Sequence, residues 1–453
     1  MTPNLTAFTG VDSQSLPDVM VSVQFILAIG DANQYIYQQI RTLQHDPFRP
    51  DQHFTAPVGW INDPNGLIYY KGWYHLFCQH NPYSGHWDTM HWYHARSKDL
   101  KHWEDLGEAL EPDQDYEAKG GVFSGSAIVK DDRLYLVYTA HHVADDGTID
   151  ETQCLAYSDD GLNFQKHPGN PVLTAADGPS GLAAADFRDP KVFEHDGSYY
   201  LVVAGAVDGR GQVLLFKSTD LVNWEYVSAI LKDQPYMGRM TECPDYFEID
   251  GQAFLAFSTI YGDDHYSTVN IVKGEMDWEK GELTPLKHEL YDAGPDFYAS
   301  QSFLDKNGNR IMIPWLRSVD QADYLADTGH AWNGMMGLPR QLSLENGELV
   351  QTPVTDWKQF GERVVNGSYH LDDFKPGKKL TLIGANGRIE INRLADNYQV
   401  KVISPIYQRK YQLSAIGDQL DLNFDNSCLE LFAKKQTLSL FTFIYGIEQA
   451  IWK

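Results

Sequence analysis

Three short runs in this chain could do chemistry together. They are Trp60-Ile61-Asn62-Asp63-Pro64-Asn65-Gly66, Phe187-Arg188-Asp189-Pro190 and Glu242-Cys243-Pro244-Asp245. Each sets one carboxylate beside a turn-forming or rigid residue, at the start of what reads as a new β-repeat. Glycosidic bond cleavage needs one carboxylate held ionised and one held protonated near neutral pH. In a retaining enzyme the ionised group attacks the anomeric carbon and the acid protonates the leaving oxygen. A third carboxylate can hold sugar hydroxyls and favour the oxocarbenium-like transition state. The neighbours fit these tasks. Asn62 and Asn65 can bond sugar hydroxyls, and Pro64 stiffens the backbone beside Asp63. Arg188, next to Asp189, is expected to keep a nearby carboxylate charged. Glu242 has little charge close to it in sequence, so a raised pKa is expected there. A single Asp or Glu is usually a solvated surface group; the joint pattern carries the reading.

Internal repetition supplies the elements that position these acids. Ser97-Lys98-Asp99-Leu100-Lys101-His102-Trp103 returns as Ser218-Thr219-Asp220-Leu221-Val222-Asn223-Trp224, with Ser158-Asp159-Asp160-Gly161-Leu162-Asn163-Phe164 between them. The serines are 61 and 60 residues apart. An aromatic, alternating strand precedes each run, at 73–77, 134–138 and 198–203, and similar strands follow at 253–257 and 310–315. Asp196-Gly197, Asp250-Gly251 and Asn307-Gly308 are hairpin turn pairs. Such units with no long helix between them predict an all-β fold, a five-bladed β-propeller over residues 46–345. The first strand of each blade would line a central channel, where Asp63, Asp189 and Glu242 would meet. An array of β-sandwiches is the competing architecture; the clean alternation favours the propeller. Trp103 and Trp224, at repeated positions, read as blade core. From residue 366 the strands are shorter and less aromatic and the Ser-x-Asp-Leu-x-x-Trp signature is absent. Residues 366–453 therefore read as a C-terminal β-sandwich, joined by a link over 346–365.

Composition narrows the partners. Aromatic residues make up 13% of the chain, which suits pleated sheets and sugar binding alike. The formal net charge of -26 repels nucleic acid and anionic lipid, so neither nucleic acid nor membrane is an expected partner. Cys78, Cys154, Cys243 and Cys428 lie far apart with no CxxC pair, which argues against a zinc site and for a reducing compartment. His91, His94, His141 and His142 fit no zinc spacing. No metal and no cofactor is expected. The apolar run over 19–29 is too short to span a bilayer, and no Lys or Arg precedes it as in a secretory signal. Residues 19–43 read instead as an amphipathic helix within an N-terminal extension over 1–45. The helix would pack on the body or on a second subunit; the extension and the sandwich are the two places where copies of the chain would associate. A cytoplasmic protein is expected.

The three runs, together with Phe123-Ser124-Gly125-Ser126, resemble the signatures of glycoside hydrolase family 32, which contains invertases, sucrose-6-phosphate hydrolases and fructan β-fructosidases. Met90-His91-Trp92, His94-Ala95, Ser97-Lys98-Asp99-Leu100, Asp296-Phe297-Tyr298-Ala299 and Leu338-Pro339-Arg340 match as well. The resemblance covers residues 46–453. It implies a five-bladed propeller followed by a β-sandwich, a retaining mechanism and no metal. It implies Asp63 as nucleophile, Glu242 as general acid/base and Asp189 as transition-state stabiliser. Asn62, Gln79, Trp87, Phe123, Ser124 and Arg188 would line the fructose subsite. Thr241 stands where the family commonly has Trp, Cys78 where it has Tyr, and Tyr93 and Pro314 where it has Gly. Thr241 and Tyr93 are expected near the pocket, where they would tune leaving-group specificity.

The reading that follows is a β-fructofuranosidase acting on sucrose or sucrose 6-phosphate, and on short fructans. A fructosyltransferase would use the same covalent intermediate. An inverting arabinan-cleaving propeller of family 43 also uses two Asp and a Glu, but lacks the Asn-Asp-Pro-Asn-Gly run. A sugar-binding propeller without catalysis would have no need of three acids. Lys119, Arg239, Arg317 and Arg340 are the cations that could meet a substrate phosphate.

Overall fold

The computed structural model describes residues 30–262, 267–319, 321–360, 365–415, 417–434 and 436–453. The strands fall into seven sheets. Five follow one another along the chain, each starting from an innermost strand: β1 (Gly59–Tyr70), β2 (Lys119–Lys130), β3 (Leu182–His195), β4 (Met240–Ile249) and β5 (Phe297–Leu304). Three further strands build each of these sheets outward, antiparallel, in sequence order. The inner strands touch one another in a closed ring, β1 to β2, β2 to β3, β3 to β4, β4 to β5 and β5 back to β1. The short strand Trp332–Asn333 also pairs parallel with β1 and ties the fifth unit to the first.

The repeated Ser-x-Asp run is a turn between the third and fourth strands of a sheet. The Ser97, Ser158 and Ser218 hydroxyl oxygens accept the N–H three residues on, at 2.9, 2.8 and 3.0 Å. The aspartate two residues after each serine accepts the next two N–H groups, as Asp160 does from Leu162 and Asn163 at 2.8 Å. Leu100, Gly161 and Leu221 take a positive φ there, which explains the glycine of the middle copy. Trp103 and Trp224 pack against the buried clusters of their sheets, as the repeat predicts.

Between the sheets lie apolar layers, for example Val202, Leu215, Leu255 and Phe257. The last two sheets enclose a separate core that includes Leu382, Ile391, Val400, Leu422 and Leu431. The stretch 346–365, expected as a link, holds two strands. Glu348–Pro353 completes the fifth sheet, and Trp357–Gln359 pairs parallel with Gly367–Leu371 of a C-terminal sheet. At the N-terminus α1 spans Asp31–Ile40, ending three residues before the expected limit, and buries Ala32 and Ile36. Asn33 anchors it by accepting the Glu108 N–H at 2.7 Å. Residues 19–29 of the expected helix lie outside the described residues. Among the described residues no helix is long and apolar enough to cross a membrane.

A fully buried ionic network joins the fifth sheet to a C-terminal sheet. Arg340 donates to Glu430 at 2.6 Å and to Asp292 at 3.3 Å. His53 bridges Asp425 at 3.0 Å and Glu430 at 3.2 Å. Burial favours the neutral form of Glu430, but Arg340 and His53 outweigh it and hold the carboxyl down at about 2.

Candidate active site

Each inner strand breaks register at a corresponding place. The breaks fall between Ile61 and Pro64, Phe123 and Gly125, Arg188 and Lys191, Glu242 and Asp245, and Tyr298 and Gln301. A bulge of this kind lets two residues face one partner and re-aims a side chain. It also explains the prolines, since Pro64, Pro190 and Pro244 cannot donate to a ladder and are tolerated where it is interrupted. Asp189, Cys243 and Ala299 pay for the bend with φ of 65°, 46° and 48°.

The bulges bring the three acids into one connected cluster. Asp63 accepts from Ser124 Oγ at 2.6 Å, from Asn62 Nδ2 at 3.1 Å and from the Cys243 thiol at 3.4 Å. Gln79 sits behind, accepting from Asn62 at 2.8 Å and donating to Ser124 at 2.8 Å. Asp189 accepts the Cys243 N–H at 2.9 Å, and its own N–H donates to Thr139 Oγ1 at 2.9 Å. Cys243 thus bridges Asp63 and Asp189. Glu242 accepts from Arg188 Nη2 at 2.8 Å and from the Tyr298 hydroxyl at 2.5 Å. Phe123 meets Trp87 edge to face at 6.0 Å, and Trp87 is 53% exposed at the rim.

Burial and crowding divide the three carboxyls. Burial raises Asp63, and Glu242 adds repulsion, against the bonds from Ser124 and Asn62. Burial likewise pushes Asp189 up to about 8, with Asp63 and Glu242 adding to it and Arg188 opposing. Burial also acts to raise Glu242, but Arg188 and Tyr298 outweigh it and leave the group below its ordinary value. This corrects the expected raised value for Glu242. The nearest cation in space, Arg188, comes from another strand, and local sequence did not reveal it. Three adjacent carboxyls with divergent environments, one holding a proton, can run acid and nucleophilic chemistry together.

Comparison with known proteins agrees with this geometry. The model of the glycosyl hydrolases family 32 N-terminal domain matches residues 53–353. The chain belongs to glycoside hydrolase family 32. Sucrose-6-phosphate hydrolase of Bacillus subtilis is 38% identical over 325 residues, 69% of this chain and 66% of that protein. Raffinose invertase of Escherichia coli is 38% identical over 335 residues, 71% of this chain and 68% of that one. These matches span about two thirds of the relatives' length. The solved β-fructofuranosidase of Bombyx mori superposes with a TM-score of 0.79 at 30% identity, covering 93% of this chain and 94% of that one.

Within this family 32 chain some residues stand elsewhere than expected. Thr241 is wholly buried, and its hydroxyl donates to the Gln212 carbonyl of the third sheet at 2.8 Å, so it faces the neighbouring sheet and not the pocket. Tyr93 is buried beside Cys78 and donates to Asp105 at 3.2 Å. Arg340 is committed to the buried network, and Lys119 pairs with Asp145 at 2.5 Å. Arg239 lies 4.0 Å from Asp186, whereas Arg317 lies 4.0 Å over the Tyr298 ring beside Glu242. Sequence reasoning gave no role to Tyr298, Glu151 or the thiol of Cys243. Tyr298 and Cys243 lie inside the motifs that match the family, and that placement is the signal the sequence offers for them.

Proposed function

We propose that this protein is a retaining β-fructofuranosidase that hydrolyses the fructosyl bond of sucrose or sucrose 6-phosphate. The observation that carries this is the linked triad: Asp63 and Asp189 joined through Cys243, with Glu242 held by Arg188 and Tyr298. Asp63 is the nucleophile. Its Ser124 and Asn62 donors aim the carboxylate and favour its charge. Glu242 is the general acid/base and Asp189 the transition-state stabiliser. Asn62, Gln79, Trp87, Phe123, Ser124 and Arg188 line the fructose subsite. A sugar hydroxyl that bonds Arg188 draws the guanidinium away from Glu242, and the proton stored among the crowded carboxyls can then move to Glu242. Chemistry is thereby coupled to occupancy of the subsite.

The same reading takes the ring of five sheets as a five-bladed propeller, with the closed circuit of inner strands in its support. It divides the chain into the extension over 1–45, a catalytic unit from 46 to about the end of the fifth sheet, and the sandwich that follows. Four free, buried cysteines agree with a cytoplasmic setting.

Glucose release from sucrose is the first test, with the anomer of the first-formed fructose followed by NMR. Retention with hydrolysis supports the proposal. Inversion would remove Asp63 as nucleophile, and products longer than sucrose would make the protein a fructosyltransferase. The ratio of kcat/KM for sucrose 6-phosphate and sucrose then ranks the two substrates. Glu242→Gln should lose most rate on sucrose, by about 100-fold or more, and less on a fructoside with an activated leaving group.

A further inference from the structure

Glu151 lies on the Ile149–Ser158 strand and is 1% exposed. Its carboxylate joins two walls of the site. One oxygen accepts from Arg188 Nη1 at 3.1 Å and from the Phe187 N–H at 3.0 Å. The other faces His141 Nδ1 at 2.9 Å, and the His141 ring stacks on Phe123 at 4.1 Å. The second arm of Arg188, Nη2, donates to Glu242. The hydrogen bonds of one guanidinium are therefore divided between two carboxylates, of which only Glu242 belongs to the reacting cluster. A charge-assisted bond to a guanidinium is strong, and a second carboxylate on the same group weakens the first.

We propose that Glu151 is a positioning residue: it takes one edge of Arg188, fixes the guanidinium between two carboxylates, and limits its hold on Glu242. This rests on the reading of Glu242 as acid/base. The other groups facing Glu242 are Asp63 from β1, Asp189 from β3, its neighbour Cys243, Tyr298 from β5, and Arg317 just past the Arg310–Leu316 strand. Arg188 also has Asp186 at 3.6 Å, and Glu151 has His141. Removing the Glu151 charge leaves all of these in place. It takes away a negative charge near Glu242 and gives Glu242 a fuller share of Arg188. Both changes favour ionised Glu242. A residue that only tethered Arg188 would act with the opposite sign, because its loss would free the guanidinium to swing off Glu242.

The experiment is a titration of 13C-carboxyl-labelled glutamate by NMR in the wild type and in Glu151→Gln, with the Glu242 signal assigned by its loss in Glu242→Gln. The Glu242 midpoint should fall by about one pH unit. The basic limb of kcat/KM for sucrose should move to lower pH with it, since the acid must be protonated to act. Glu151→Asp keeps the charge but draws it back, and should give a smaller shift in the same direction; it serves if the Gln variant does not fold. A midpoint that stays or rises in the folded variants overturns the proposal. A midpoint that falls while the kinetic limb stays supports the role of Glu151 and removes Glu242 as acid/base.

Discussion

The five inner strands and the two C-terminal sheets use the same antiparallel ladder to different ends. In the C-terminal sheets every antiparallel pairing runs without a register shift, from Gly367–Leu371 against Leu420–Asp425 to Asn397–Ile403 against Gln408–Ser414. Alternate residues such as Tyr398, Val400 and Val402 all enter one core. In the inner strands the ladder breaks at one level in all five, and polar groups gather there: Asp63, Ser124, Asp189 and Cys243. An unbroken pleat sends side chains to two faces only. A bulge adds a third direction, toward the axis, and that direction carries the chemistry. The cost is local: positive φ at non-glycine residues and a carboxyl at Asp189 held far from its ordinary state.

The comparison breaks most sharply at Asp63. Asp63→Asn should lower kcat by about 10^4-fold or more while the thermal midpoint hardly moves. A folded variant that keeps a tenth of the wild-type rate would falsify the nucleophile assignment. Leu431→Ala is the reverse experiment. Leu431 is fully buried in the C-terminal core, so its truncation should cost about 2–5 kcal/mol of stability. The rate per folded molecule should stay the same; a fall in kcat at low temperature would mean that the C-terminal sheets shape the site.

Asp189 sharpens the contrast through pH. Its folded value of about 8 lies above its ordinary 3.8, so the unfolded chain releases this proton first and stability drains as pH rises between the two. Asp189→Asn should abolish that contribution and raise the thermal midpoint at pH 8 relative to the wild type, more than at pH 4, while lowering kcat. Equal midpoints at pH 8 would show that Asp189 ionises without strain. The smallest effect belongs to Thr241→Val. It removes one buried hydrogen bond, about 1 kcal/mol. The ratio of kcat/KM for sucrose and sucrose 6-phosphate should not change; a changed ratio would return Thr241 to the pocket wall.

The parts legible in sequence are those that repeat. The Ser-x-Asp turns recur at nearly constant spacing because the same three backbone N–H groups need the same acceptors in each of the first three sheets. Pro64 and Pro190, next to Asp63 and Asp189, and Pro244, two residues after Glu242, are visible in the sequence and sit where the ladders are interrupted. What sequence could not give was contact across sheets. Arg188 stands next to Asp189 in sequence, but its side chain crosses to Glu242, 54 residues away. Glu151 carries no motif at all and is defined only by what it touches. Thr241 adjoins Glu242 in sequence, yet strand alternation turns it to the other side.

The buried network of Arg340, Glu430, Asp292, His53 and Asp425 decides how the molecule comes apart. Its cations lie N-terminal to the last two sheets, while Glu430 and Asp425 lie within them. Pulling the halves apart would strand a guanidinium and several carboxylates in places shaped for a counter-ion, at a cost of several kcal/mol until water reached them. The ring of sheets and the C-terminal sheets are therefore one cooperative body in thermodynamic terms. Neither half is a natural fragment, because a cut between residues 353 and 357 would leave unpaired charges on both pieces.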